Sequence, residues 1–147
     1  MDVNERIAAL YEKDTHSAYA NLLALEALAE EENALYPYTG EFIAMLKSER
    51  YVVRVRGFRL LCKQAKWDEE GRINGAIDDI LAALGDEKPT AVRQVLQYLT
   101  HMVPYKRELH ANIRAAALSI DLSRFKDTMM PLIEKDIQAL LRAMDAV

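Results

Sequence analysis

Three segments of the chain carry one pattern, and the distance between them limits the fold more than any other feature. Asp14 precedes Ala20-Asn21, Glu49 precedes Val55-Arg56, and Asp86 precedes Val92-Arg93. In each, an acid in a short connection stands six positions before a small or branched apolar residue whose successor is polar. Asn21, Arg56 and Arg93 fall 35 residues (21 to 56) and 37 residues (56 to 93) apart, the period of stacked helical hairpins. One such hairpin cannot bury its apolar faces alone, so units of this length must stack. The period fixes an architecture and leaves function to side chains that only a partner explains.

With five glycines and four prolines in 147 residues, helices are expected throughout one domain spanning 1–147. Ile7, Ala8, Leu10 and Tyr11 mark a helix over about 3–13, and Asp14 or Thr15 can cap a second that runs to about Glu32. Pro37, which restricts Tyr36 to extended geometry, and Gly40 interrupt the pattern before helices at about 41–48 and 50–66. After the Trp67–Gly71 connection, Ile73, Ala76, Ile77, Ile80, Leu81 and Leu84 form one helical stripe. Gly85 is expected to end that helix in the C′ manner, and Pro89 to sit in the first turn of the next.

Beyond Pro104 the repeat loosens, because Arg114 lies only 21 residues after Arg93 (93 to 114) and so belongs to the other type of helix. Ile113, Ala116, Ala117 and Ile120 still supply an apolar face. Asp127 is expected to cap a last helix through Leu132, Ile137 and Met144, with Pro131 in its first turn. The expectation is about eight helices in four antiparallel pairs, at about 3–32, 41–66, 72–103 and 105–146.

The Asp-x5-Val-Arg element at Asp86–Arg93, its variant Glu49–Arg56 and the degenerate copy Asp14–Asn21 resemble HEAT repeats of the armadillo-like superfamily, over about residues 3–103. The resemblance implies an all-α fold, a right-handed α-α superhelix forming a short solenoid whose second helices line a concave surface. It also implies that loop acids and the following arginines bridge adjacent units, which gives Asp86 and Arg93 a structural role. The fourth pair departs from the pattern.

Helical wheels divide the second helices into packed and free sides. On 50–66, Val55, Phe58, Leu61, Cys62 and Ala65 share one side, and Arg56, Arg59, Lys63 and Lys66 line the other. On 90–103, Val92, Val95, Leu96 and Leu99 leave Arg93, Gln97 and Thr100 outward; on 15–32 the equivalent side presents Leu22, Leu25 and Leu28. A groove made of these residues would run from apolar through basic to polar and suit an acidic or amphipathic protein segment. The same cations read equally as a solvated face, and the leucines as core or as an exposed patch that would favour a homodimer.

Chemistry is harder to assemble. His16, His101 and His110 lie on separate expected helices with no paired metal-ligand spacing, Cys62 falls on an apolar side, and no phosphate loop or nucleophile elbow is present. The acid pairs Glu31-Glu32, Glu69-Glu70 and Asp78-Asp79 are adjacent in sequence and diverge on a helix. No catalytic residue, metal or cofactor is therefore expected, and the chain reads as a non-enzymatic interaction or scaffold module. The alternative is a nucleic-acid-binding module related to DNA glycosylases with HEAT-like folds, against which the formal charge of −4 argues. A single cysteine, no signal-peptide pattern at the N-terminus and no long apolar run point to a soluble cytoplasmic protein without a membrane span.

Overall fold

Local signals account for where the helices begin. A computed structural model describes residues 2–147, and among these the chain forms nine α-helices, short 3-10 turns and no strand. They are α1 Val3–Ala9, α2 Thr15–Glu31, α3 Thr39–Met45, α4 Tyr51–Lys63, α5 Arg72–Gly75, α6 Ile77–Leu81, α7 Pro89–Leu99, α8 His110–Leu118 and α9 Met130–Asp145. Asp2 caps α1 by accepting from the Glu5 amide, and Asp14 caps α2 by accepting from the amides of His16 and Ser17. Pro89 and Pro131 occupy first turns, where a missing amide leaves no bond unmade.

Several boundaries differ from the sequence reading. The helix expected over 72–84 breaks at Ala76 (φ −107°, ψ 11°) into α5 and α6, then tightens into a 3-10 turn at Ala82–Gly85. Asn74 and Gly75 are weak helix formers, and the Asn74 side chain is occupied elsewhere, donating to Glu108 and accepting from Lys106. Gly85 is not left-handed; the one positive-φ residue described is Gly71, at 74°, where the chain turns into α5. Asp127 does not cap α9, because a backbone turn in which the Met129 and Met130 amides both reach the Lys126 carbonyl leads into that helix.

The longer second helices form a row in which α4 packs on α2 and α7, and α7 on α9; α1, α3 and α8 lie against α2, α4 and α9. One core runs between these helices, with Leu10, Leu25, Phe42, Phe58, Ile73 and Leu96 all inaccessible to solvent or nearly so. The central helix α4 is covered on most sides, so Val53, Val55, Gly57, Phe58, Leu60, Leu61 and Cys62 are all buried. The terminal helix α9 turns Ile133, Ile137, Leu140 and Met144 inward and leaves Glu134, Lys135, Gln138 and Arg142 exposed, which closes that end of the row with a polar face.

Candidate interaction surface

Along the row of second helices, cations meet acids or carbonyls of neighbouring helices. Arg59 on α4 donates through Nε and Nη2 to Glu26 Oε1 on α2, the Nε bond at 3.1 Å, and through Nη1 to Gln94 on α7 at 3.2 Å. Its guanidinium also lies 4.6 Å from the Tyr98 ring centroid and 5.8 Å from that of Tyr19, within the range of cation–π attraction. Tyr98 donates to the second Glu26 oxygen at 2.6 Å, and burial together with that carboxylate pushes its hydroxyl pKa up. Lys63 donates to the Glu30 carboxylate and holds it below the usual carboxylate range, while Lys66 donates to the Glu30 carbonyl and lies over the Trp67 ring. On the far side, Arg93 of α7 grips Asp136 of α9 through two nitrogens at 2.7 and 3.3 Å, and Gln97 reaches the same carboxylate at 3.4 Å.

These placements correct the surface drawn from helical wheels. Arg56 is buried, only 6% exposed, and donates to the carbonyls of Leu10 at 2.8 Å and Glu12 at 3.3 Å. A two-sided wheel fails on a helix with neighbours on three sides. Leu22 and Leu25 are buried with Ala18 against α1 and α4, and Leu28 is partly buried on the same core. The large apolar residues that α2 exposes are Tyr19 and Leu23. Cys62 is buried as expected from its apolar side, and that burial raises its thiol pKa well above normal.

A second group of arginines closes the ends of the first helices. The last carbonyls of a helix have no partner within it, and a guanidinium can take two or three of them at once. Arg50 donates to the carbonyls of Tyr11 and Glu12 beyond α1, joining Arg56 there. Arg54 takes the carbonyls of Ser48 and Glu49 beyond α3 and also holds Asp86 at 2.8 and 3.1 Å. Arg124 takes the carbonyls of Leu84 in the 82–85 turn and of Asp86 just after it. Asp86 thus bridges to Arg54 on the preceding pair, and its contacts are with that arginine, the Lys88 amide and, through its carbonyl, Arg124.

Between the first helices lies a buried polar cluster. Asp68, whose side chain is fully enclosed, accepts from the Arg72 and Ile73 amides at 2.9 and 3.0 Å, from the Tyr36 hydroxyl, and from Lys106 Nζ at 2.9 Å. Burial opposes its ionisation, but these donors outweigh burial and hold the carboxyl below the usual range. Lys106 Nζ completes its shell with the Asp68 carbonyl and Asn74 Oδ1. With the Lys106 and Asp68 side chains 5% and 0% exposed, the pair ties three segments together inside the fold.

One opening on the second-helix side is a small trough of about 160 Å³ near the N-terminal ends of α2 and α4, between Tyr19 and Tyr51 over Leu22, Val52 and Val55. Tyr19 is 50% and Tyr51 37% exposed, and Lys88 Nζ sits 5.4 Å from the Tyr51 ring centroid. No protein family, curated protein or solved structure matches the chain. Among the described residues no three His, Cys, Asp or Glu side chains converge to hold a metal ion, and no helix is long and apolar enough to cross a membrane. His101 lies against Tyr98 with ring centroids 5.0 Å apart and planes tilted by 45°, and His110 Nε2 bonds the Val103 carbonyl at 2.8 Å, so the two imidazoles have separate partners.

The wheel reading missed Glu26, Tyr98, Asp136, Asp68 and Lys106. A usable signal existed: Glu26 and Arg59, like Glu30 and Lys63, are opposite charges 33 residues apart, close to one repeat. Tyr98, 72 residues from Glu26, bridges two repeats and had no such marker.

Proposed function

We propose that the protein is a non-enzymatic interaction module, a short HEAT-like right-handed solenoid, that captures an amphipathic protein segment on its second-helix, concave side. Support for stacked units comes from the polar contacts between helices, which join residues 32 to 36 apart in the Tyr36–Asp68, Arg54–Asp86, Arg59–Glu26, Arg59–Gln94 and Lys66–Glu30 pairs. A separation close to one repeat is what contacts between successive stacked units would give.

The observation that carries the choice of occupant is the contrast between the cations and the trough. Arg59, Lys63 and Arg93 already hold carboxylates, so an acidic strand or a phosphate backbone would have to displace Glu26, Glu30 and Asp136. The trough between Tyr19 and Tyr51 is apolar and unfilled, with room for one bulky anchor side chain framed by two aromatic rings. An amphipathic helix supplies such an anchor while leaving its polar face in water.

Selection of displayed random peptides on the immobilised protein tests this reading. Enriched sequences should carry apolar residues at spacings of three and four, and the double variant Tyr19→Glu/Tyr51→Glu should bind them at least about tenfold more weakly with unchanged helicity. Failure to enrich any sequence, or indifference of the enriched peptide to that double variant, would remove the proposal.

A further inference from the structure

A cleft of about 430 Å³ opens between the second and third helical pairs. Its floor is apolar, formed by Leu46, Val55, Ala83 and Val95. The volume falls within the range of about 300–1,000 Å³ typical of small-molecule sites. Small side chains leave it open, since the 3-10 turn lines it with Ala82, Ala83 and Gly85.

Gly85 is informative. Its φ is not positive, and a Cβ built on it would meet no atom within 4 Å, so neither the backbone nor packing demands glycine. An ordinary side chain there would project into free space beside the cleft it lines.

The charges at the walls are unequal. Arg54 and Asp86 are locked to each other in a two-nitrogen pair, while Lys47 and Asp79 stand 3.8 Å apart with side chains 72% and 55% exposed, a weak and screened contact. Glu87 lines the same cleft, is exposed, and takes part in none of the ion pairs among the described residues. The lining thus holds three carboxylates, Asp79, Asp86 and Glu87, against two cations, Lys47 and Arg54, and of the three only Asp86 is locked in a two-nitrogen pair.

We propose that this cleft binds an amphipathic organic monocation: a compact apolar or aromatic body on the floor of Leu46, Val55, Ala83 and Val95, with its ammonium or guanidinium head at Glu87 and Asp79. The site shares Val55 with the Tyr19–Tyr51 trough and no other lining residue, and it stands whether or not that trough captures a peptide.

Tryptamine and indole-3-acetate, which share a ring and differ in the sign of the head group, are suitable probes for the full-length protein, read by amide chemical shifts. Tryptamine should saturate with a dissociation constant on the order of 1 mM, the scale of a fragment, and shift the amides of Ala83, Gly85 and Val95. Indole-3-acetate should bind at least about tenfold more weakly. Ala83→Phe, which puts a ring on the floor of the cleft, should abolish tryptamine binding, and Glu87→Lys, a surface change, should weaken it about tenfold and reverse the preference for the cation. Shifts that do not saturate, equal affinity for the two probes, or perturbations centred on Tyr19 and Tyr51 would overturn the assignment. So would undiminished binding to Ala83→Phe or, if that variant loses helicity, to Glu87→Lys.

Discussion

Lys106→Met should lower stability by about 3–5 kcal/mol at neutral pH, because it leaves the Asp68 carboxylate enclosed without its counter-charge. The Asp68 side chain is 0% and that of Lys106 5% exposed, so water cannot replace the lost ammonium without opening the fold. The hydroxyl of Tyr36 and the amides of Arg72 and Ile73 remain as donors, but none of them carries charge. For a chain of this length the loss corresponds to a melting temperature lower by about 6–20 °C. Lys106→Met/Asp68→Asn should recover part of it, since the buried charge is then gone.

The pH dependence separates this mechanism from simple loss of packing. The Asp68 carboxyl titrates lower in the folded chain than its unfolded value of about 3.9, so the unfolded state binds more protons in acid. Its contribution is complete above about pH 4 and disappears as pH falls through the folded pKa. The gap between wild type and Lys106→Met, measured by urea unfolding, should therefore narrow on acidification below pH 4. A gap that stays constant from neutral pH into that range would mean that Lys106 acts through its methylene stem alone.

The legible part of the fold lay in positions whose physics is local. Asp14 before α2, Pro89 and Pro131 inside first turns, and the apolar stripes of α4, α7 and α9 each announce themselves within a few residues. The break at Ala76 did not, since Ile73, Ile77 and Ile80 keep helical spacing while Asn74 is drawn away by Glu108 and Lys106, over 30 residues distant. Surface assignments failed for a related reason. A wheel shows which side of a helix is apolar, but Arg56 points to α1 and Leu22 to the core because α2 and α4 have neighbours in more directions than a wheel can show. Charge pairing across units is intermediate: Glu26 with Arg59 and Glu30 with Lys63 become readable once the sequence is folded back on its own period.

Gly57→Ala is expected to cost about 1–3 kcal/mol, against the gain of about 1 kcal/mol that alanine ordinarily brings to a helix interior. Gly57 lies within α4, where a Cβ would stand 2.5 Å from Met45 Cβ and 3.1 Å from the Phe42 carbonyl oxygen of α3. Both are at or beside the backbone, so neither can swing aside as the end of a long side chain could; α3 itself must move, and with it the contacts of the fully buried Phe42. The urea midpoint should fall by about 1 M, and Gly57→Val should fall further. Met45→Ala supplies the discriminating control, because it removes the flexible part of that side chain and keeps the Cβ: it should not rescue Gly57→Ala. Gly75→Ala, whose Cβ meets no atom within 4 Å, should change stability by no more than about 1 kcal/mol. Equal responses at Gly57 and Gly75 would show that α3 and α4 are not held in the close contact on which the second helical pair is built.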